Sequence, residues 1–362
     1  MSQFDKDNSM IGQLSNLKMK NIGNIWKFVI ILNSAFFNLN SAFSQDIHFS
    51  QYYACPLVLN PATTGVFDGD VRLSGSYKDQ WRSISKPFKT IFASLDGSLF
   101  KSSLRNGSLG LGLTAFSDKA GTSKMGTSQL NISIAYTTFI NEFNSISLGL
   151  QGGAAQKSVD YSELKWDNQF DGQAYNPVQM PGEVGESNFY YLDAGFGILW
   201  NLKLSENFRI VNGMGLSHIN KPQHSFYAGD VLKTKLTVHG SAQQHFKGTR
   251  WSLFPSWMIL KQGNLNEFNI GGFLGYRLNY FKNLDNKNSL FYFGCFYRWD
   301  DAIIPTIRLE LFNNLAAILS YDITTSDLGS TSQYQGGLEI SLICTTRFKK
   351  QSNLLRCPAW VN

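Results

Sequence analysis

Apolar and polar residues alternate along most of this chain, from Asp70 almost to its end. In the stretch YLDAGFGILW, every second residue from Leu192 to Trp200 is apolar, and Asp193 lies among the positions between. The stretch IIPTIRLELF repeats the pattern, with Arg308 and Glu310 on its polar face. A period of two residues is that of a β-strand whose two faces meet different surroundings. The alternation therefore predicts strands with one apolar and one polar face.

Fourteen segments show this alternation, each about ten residues long. We place them at 70–81, 88–98, 108–117, 128–139, 144–157, 189–200, 206–217, 231–246, 249–261, 265–278, 288–298, 302–312, 314–322 and 334–348. About 23 residues are then available for each strand with its connection, which leaves no room for crossover helices. The sequence predicts an all-β fold of about 14 antiparallel strands in up-and-down order.

Aromatic residues recur near the ends of these segments. They are Tyr77, Trp81, Tyr136, Phe139, Trp200, Tyr276, Tyr292 and Trp299. Aromatic side chains at strand ends are typical of the girdles that outer-membrane barrels place at the two lipid interfaces. The even number of long strands also favours a closed barrel, although a soluble β-sandwich would alternate in the same way. We therefore predict a transmembrane outer-membrane β-barrel over residues 70–348, with its apolar face in contact with outer-membrane lipid.

Residues 1–44 have the composition of an N-terminal extension followed by an export signal. A weakly basic start precedes the apolar run FVIILNSAFFNL, and SAFSQ supplies small residues for a cleavage site. We expect cleavage after Ser44, with Met1 or Met19 as the initiator. A membrane anchor is the alternative, but an apolar run of about a dozen residues is shorter than the roughly 20 that span a bilayer.

The stretch QDIHFSQYYACPLVLNPA opens the segment 45–69, which precedes the first strand. It has no strand or helix period, yet it is too apolar to float free in water. We expect it to pack against or into the periplasmic mouth of the barrel. There it is either a plug that seals the pore or a dock that binds a partner through Phe49, Tyr52 and Tyr53.

Loop lengths predict an orientation for the barrel. If the segment 45–69 is periplasmic, the connections after odd-numbered strands face outward, and they include the longest connection, at about 158–188. The connections after even-numbered strands include the short INEF, NLKLSE, KG and NN, as expected for periplasmic turns. Residues 349–362 then form a periplasmic tail.

The long outward loop contains three aromatic residues that could bind a partner, Trp166, Phe170 and Tyr175. A loop of this composition either packs into the barrel mouth or forms a recognition surface. Arg308 and Glu310 share the inner face of the twelfth strand, and we expect them to line the lumen. They form either a hydrogen-bonded filling or a selective pore lining.

Charge and candidate chemistry narrow the function further. The net charge of +6, from 32 basic and 26 acidic residues, is dispersed, and an exported protein of this kind is not expected to bind nucleic acid. No HExxH motif and no CxxC pair occur, so we expect no metal, no cofactor and no catalytic residue. We expect His218 and His224 to be solvated loop residues, and His239 to face the lumen.

Several separate motifs along the chain resemble, in order, those of one known family. They are QDIHFSQYYACPLVLNPATTG, YKDQWRSISKPFKTIFASLDG, NQFDGQAYNP, SHINKPQHSF, YRWDDAIIPTIRLEL, YDITTSDLG and GGLEISLI. The family is PorP/SprF, membrane proteins of the type IX secretion system, and the resemblance covers about 45–356. Near the C-terminus, Arg356, Cys357 and Pro358 fit the family's ending, and the residues after them depart from it.

The resemblance implies a non-enzymatic outer-membrane barrel that acts with components of the type IX translocon. It further implies that the barrel helps to secrete and anchor one large cell-surface protein, adhesin-like, through that protein's C-terminal secretion domain. In gliding cells such adhesins move along the envelope, so a link to gliding motility is also implied. An outer-membrane channel for a small solute is the alternative that the fold allows.

Overall fold

The computed structural model describes residues 46–83, 86–99, 106–176, 178–179, 186–224, 226, 230–278, 289–312 and 314–347. The expected export signal at 1–44 and the expected tail at 349–362 lie outside these residues. The first described residue, Asp46, therefore begins the segment expected to act as a plug or a dock.

Fourteen antiparallel strands close into one barrel within the described residues. The strands are β1 Val71–Gln80, β2 Phe88–Leu99, β3 Gly107–Ala120, β4 Met125–Phe139, β5 Asn144–Ser158, β6 Asn188–Ser205, β7 Phe208–Ser217, β8 Lys235–His245, β9 Trp251–Gln262, β10 Leu265–Leu278, β11 Ser289–Arg298, β12 Ala302–Leu311, β13 Leu315–Thr324 and β14 Gln335–Thr346. Each strand pairs with its neighbours in sequence, and β1 pairs with β14 to close the ring, with Val71 opposite Thr346. The predicted strands and up-and-down order are confirmed.

The two ends of the barrel differ in their connections. We call the end where β1 begins and β14 ends the turn end, and the opposite end, which includes the connection between β5 and β6, the loop end. The loop end also contains a short helix at Leu328–Ser332, and 3₁₀ turns at Tyr161–Glu163 and Asp167–Gln169. No helix in the described part of the chain is both long enough and apolar enough to cross a membrane.

The alternation places apolar side chains on the outside of the barrel. On β13, Leu315 and Leu319 are 41% and 46% exposed, whereas Ser320 and Asp322 are buried inside. Apolar side chains are similarly exposed on the other strands, over far more area than a soluble protein leaves in water. This surface is suited to lipid, which supports the predicted membrane-spanning barrel.

The predicted aromatic girdle is wrong at Tyr292. Tyr136, Trp200 and Trp299 are exposed at the outer surface, but Tyr292 is buried inside the barrel, where its hydroxyl donates a hydrogen bond to Glu310. Residues an even number of positions apart on a strand point to the same face. Tyr292 lies six positions before Arg298, which points inward, so Tyr292 also points inward.

The chain before β1 fills the interior of the barrel. Residues 46–70, which we call the luminal segment, contain 3₁₀ turns at Tyr52–Ala54 and Pro61–Thr63 and a single helical turn at Pro56–Leu59. Asp46 contacts residues at the loop end of β8 and β9, and the segment then crosses the lumen to reach β1 at the turn end. The expectation was packing against or into the mouth nearest β1; the segment lies inside the barrel at that end and continues through the lumen to the loop end.

Inward-facing glycines make room for this path. A Cβ atom on Gly110 would lie 2.2 Å from the carbonyl oxygen of Thr64, and one on Gly149 would lie 2.4 Å from the backbone nitrogen of Ala62. Real Cβ atoms do not approach other atoms this closely, so any larger residue at these positions would displace the luminal segment. The barrel wall and the luminal segment are thus complementary in shape.

Replacement of Gly110 by valine should destabilise the protein, because the added side chain would overlap the backbone of the luminal segment. We expect a loss of about 1–3 kcal/mol in the free energy of unfolding, the usual cost of overpacking. Urea unfolding of the purified barrel in detergent measures this loss. Gly152→Val is the matched control, since Gly152 is exposed and a Cβ atom there would meet nothing within 4 Å. Equal losses in the two variants would contradict the shape argument.

Candidate functional site

The luminal segment is held at its centre by a buried carboxylate of the barrel wall. Glu339 on β14 accepts hydrogen bonds from the backbone N–H groups of Ser50 at 2.9 Å and Gln51 at 3.0 Å. The ammonium group of Lys78 on β1 lies 4.0 Å from the same carboxylate, and both side chains are about 1% exposed. Because these groups are shielded from bulk solvent, each depends on the others to compensate for its lost hydration.

A second buried ion pair lies beside the first. Arg298 on β11 contacts Asp322 on β13 at 2.8 Å, and both groups also bond to the hydroxyl of Ser50. Asp301, which immediately precedes β12 at the loop end of the barrel, contacts the guanidinium group of Arg298 at 2.5 Å. One serine of the luminal segment therefore completes two charged networks of the barrel wall.

The turn end has its own anchor. Arg72 on β1 and Asp96 on β2 form a bidentate ion pair with both nitrogen–oxygen distances at 2.8 Å, and neither side chain is exposed. Asp96 also accepts a hydrogen bond from the backbone N–H of Gly65, while Arg72 donates to the carbonyl oxygen of Thr63. The last turn of the luminal segment is thus fixed to the wall immediately before β1 begins.

The start of the luminal segment is held at the loop end by Asp46. This carboxylate contacts the ammonium group of Lys235 and lies 3.3 Å from Nε2 of His218. The other ring nitrogen of His218 lies 2.8 Å from Asp193 on β6. We call these four residues the loop-end latch, because they join the first described residue to three neighbouring parts of the wall.

In the loop-end latch, the pKa of Asp46 is lowered and the pKa of His218 is raised, and in both cases the neighbouring groups outweigh the effect of burial. Burial alone would raise the pKa of Asp46, but Lys235 and His218 together lower it far below its ordinary value. Burial alone would lower the pKa of His218, but its hydrogen bonds to Asp193 and Asp46 raise it above the ordinary 6.5. The protonated imidazole is therefore favoured in the folded protein.

His218 and His224 are not the solvated loop residues that we expected. Both are buried, at 2% and 5% exposure, because the connection between β7 and β8 folds inward over the lumen. Burial and the nearby ammonium group of Lys157 lower the pKa of His224 to about 4. His239 faces the lumen, as predicted, and its ring lies 3.2 Å from the side-chain nitrogen of Asn60.

Three of the aromatic residues predicted to bind a partner pack inside the barrel. Phe49 lies edge-on to Phe92, with ring centroids 5.7 Å apart. Tyr53 stacks on Phe296, with ring centroids 5.2 Å apart, and Tyr52 lies at the edge of the same ring. A partner could reach these three side chains only if the luminal segment moved.

The other three aromatic residues, Trp166, Phe170 and Tyr175, lie in the connection between β5 and β6 at the loop end. Phe170 and Tyr175 form an isolated antiparallel bridge and are 57% and 37% exposed. Trp166 is half-buried against Tyr161, and its indole N–H has no hydrogen-bond partner among the described residues. The hydroxyl of Tyr175 donates to the buried side chain of Gln169, so this part of the loop is folded locally.

Arg308 and Glu310 point into the lumen, as predicted. They contact each other at 3.3 Å, and Glu310 also accepts a hydrogen bond from Tyr292 at 3.0 Å. Both side chains are buried, at 5% and 7% exposure. They lie near the turn end of β12, away from the ion pairs around Ser50.

The sequence argument missed most of the residues that anchor the luminal segment. Lys78, Asp322 and Glu339 occupy inward positions of β1, β13 and β14, and a charged residue at an inward position could have marked them as candidates. Their partners could not have been inferred, because Ser50 and Glu339 are 289 residues apart in the chain. Within the described residues, no group of three or more His, Cys, Asp or Glu side chains could hold a metal ion.

The loop-end latch should loosen as the pH rises. The pKa of His218 is raised in the folded state, so its protonation stabilises the latch fully below about pH 6.5, and this stabilisation is lost as the pH rises through the raised pKa. Loss of a charge-assisted hydrogen bond should increase opening of residues 46–50 about tenfold. Hydrogen–deuterium exchange, corrected for the intrinsic pH dependence, measures this opening. His218→Gln cannot titrate, so an unchanged pH response in that variant would contradict the role of His218.

Among solved structures, similar chains with very different sequences include two monoaromatic hydrocarbon channels and a FadL homologue. The TodX monoaromatic hydrocarbon channel (deltaS2 mutant) is 10% identical, covers 82% of this chain and 94% of its own, and has a TM-score of 0.46. A FadL homologue from Pseudomonas aeruginosa is 10% identical, covers 79% and 92%, and has a TM-score of 0.45. The CymD monoaromatic hydrocarbon channel is 12% identical, covers 82% and 94%, and has a TM-score of 0.44.

No curated protein matches this chain. The sequence model of the family described as "Type IX secretion system membrane protein PorP/SprF" matches residues 41–343. This range includes the luminal segment and thirteen complete strands, and it ends within β14. The chain is therefore an outer-membrane β-barrel that belongs to the PorP/SprF family of type IX secretion system membrane proteins.

Proposed function

We propose that this barrel is a non-enzymatic attachment protein of the type IX secretion system. It holds one large secreted protein at the cell surface by binding that protein's C-terminal secretion domain, and it acts together with components of the translocon. The observation that carries this proposal is the filled lumen. In cells that glide, the secreted protein is an adhesin and the barrel links it to the envelope.

A filled lumen favours attachment over transport because the filling is strongly held. The luminal segment completes the buried charge networks around Glu339, Arg298 and Asp96, and removal of one partner from a buried ion pair costs about 3–5 kcal/mol. A solute that crossed the barrel would have to displace this segment and expose those charges. The segment therefore acts as a plug in the resting protein.

The binding surface in this proposal is the connection between β5 and β6 at the loop end. Phe170, Tyr175 and Val178 are exposed there, and Val178 is 88% exposed. Aromatic side chains that a partner covers are the usual centres of binding energy in protein interfaces. The loop end is the outer face of the barrel in this proposal.

The wild-type barrel should pass little steady current, because its lumen is plugged. Glu339→Ala removes the acceptor for Ser50 and Gln51 and leaves Lys78 buried without its carboxylate, so we expect steady conductance through the variant. Single-channel recording in planar bilayers measures it. Glu206→Ala, in an exposed turn, is the control and should behave as wild type. A wild-type barrel that conducts as well as Glu339→Ala would favour the solute channel instead.

The double variant Trp166→Ala and Phe170→Ala should release the secreted protein while the barrel still assembles, because both changes lie outside the strands. Loss of two aromatic anchors should weaken binding by about 2–4 kcal/mol, or at least thirtyfold. The measurement is mass spectrometry of proteins crosslinked to the tagged barrel in its own outer membrane.

Ile140→Ala with Phe143→Ala is the matched control for this experiment. These two exposed apolar residues lie in the turn between β4 and β5, at the turn end of the barrel. Recovery of the same secreted protein from both double variants would rule out the β5–β6 connection as the binding surface. Recovery of the barrel alone from wild-type cells, under several crosslinkers, would contradict the attachment function itself.

A further inference from the structure

A cavity of about 70 Å³ lies under the luminal segment, on the side of β6 to β12. The luminal segment covers it with Tyr52, Tyr53 and Leu59, and the barrel wall supplies Phe254, Phe273 and Arg308. The wall residues Phe254 and Arg308 each lie three positions from the turn end of their strands, β9 and β12. The cavity therefore occupies the third of the lumen nearest the turn end.

The walls of this cavity are mostly aromatic and aliphatic, but one charged group faces it. Arg308 is 5% exposed, and its Nε has no hydrogen-bond partner among the described residues. Glu310 contacts only the terminal nitrogen of this guanidinium group, at 3.3 Å, and it also accepts the hydroxyl of Tyr292. The guanidinium carbon lies 5.2 Å from the centre of the Tyr292 ring, which holds the group against the cavity wall.

A second donor comes from the opposite wall. The hydroxyl of Tyr53 is buried and makes no hydrogen bond of ordinary length within the described residues, with the side chain of Thr306 as its polar neighbour. Both Tyr53 and Arg308 line the cavity, so two buried side chains that each carry a donor without a hydrogen bond of ordinary length, one of them charged, border the same apolar space. A buried donor left without a partner costs about 1–3 kcal/mol, and a bound acceptor recovers this cost.

The approach from the turn end is basic. Arg209 on β7 and Arg277 on β10 occupy inward register positions closer to the turn end than the cavity, in line with the buried Val211 and Gly275. His245 on β8 also lies on this side, and the acidic groups nearby are Glu310 and, in the exposed turn before β7, Glu206, whose charge acts on Arg209. Basic side chains at the mouth of a low-dielectric cleft attract anions.

We propose that this cavity is a binding site for an organic carboxylate that carries a short apolar tail and enters from the turn end. The carboxylate accepts hydrogen bonds from Nε of Arg308 and the hydroxyl of Tyr53, and the tail packs between the aromatic walls. The volume is about half of the roughly 150 Å³ that holds benzene in a protein interior, so a tail of two or three carbons fits. A free short-chain acid and the C-terminal residue of a peptide have this chemistry.

Fluorine NMR of 3,3,3-trifluoropropionate tests the proposal on the full barrel in detergent. The acid should bind at least tenfold more tightly than its amide, which has the same shape and no charge. Arg308→Met should weaken binding of the acid at least tenfold, while Lys261→Met, which removes an exposed charge at the loop end of β9, should not. Tyr53→Phe should weaken binding severalfold. Because Tyr53→Phe removes only one hydroxyl group, we expect this variant to fold. It therefore still tests the proposal if Arg308→Met fails to fold.

A second experiment distinguishes the two sources of the carboxylate, a free acid and a peptide C-terminus. It measures binding of acetyl-Gly-Val with either a free or an amidated C-terminus. Binding of the free peptide but not of trifluoropropionate identifies a chain terminus as the ligand, and the reverse identifies a free acid. Equal binding of acid and amide, or no effect of both Arg308→Met and Tyr53→Phe, overturns the proposal. Absence of binding by every probe overturns it as well. None of these outcomes depends on the attachment function.

Discussion

The interior of this barrel depends on one constraint, that charged side chains shielded from water must find partners. The wall contributes Glu339, Asp322, Arg298 and Lys78 to a space where hydration is lost. The ion pairs between strands compensate for part of that loss, and the backbone of Ser50 and Gln51 supplies the remaining donors. The luminal segment is therefore part of the electrostatic structure of the wall, and its path follows from the groups that it satisfies.

Much of the fold was predictable because it depends on a local pattern. Alternation with a period of two places each strand and its outward face, and β10 has the bounds 265–278 that the pattern predicts. The same rule, applied to Tyr292, would have placed that residue inside with Arg298. The preference for aromatic residues at lipid interfaces led to the opposite assignment, although an aromatic ring at a strand end can also fill a lumen.

The candidate site was much less predictable because its contacts are long-range. Residues that lie next to each other in the lumen, such as Asp46 and Lys235, are 189 positions apart in the chain. His218 and His224 follow a strand and precede polar residues, which is the pattern of a solvated loop. Their burial depends on how the connection folds over the lumen, and no local period records that. In contrast, the inward positions of Arg308 and Glu310 could be predicted from alternation alone.

The position of Asp46 has a consequence for how the molecule is assembled. The luminal segment precedes β1 in the chain, yet its first residues lie at the end of the barrel opposite to the one where β1 begins. A finished ring would have to admit, through one of its ends, a segment that extends from one end of the lumen to the other and is bonded to many strands. The geometry therefore favours closure of the seam between β1 and β14 around a segment that is already inside.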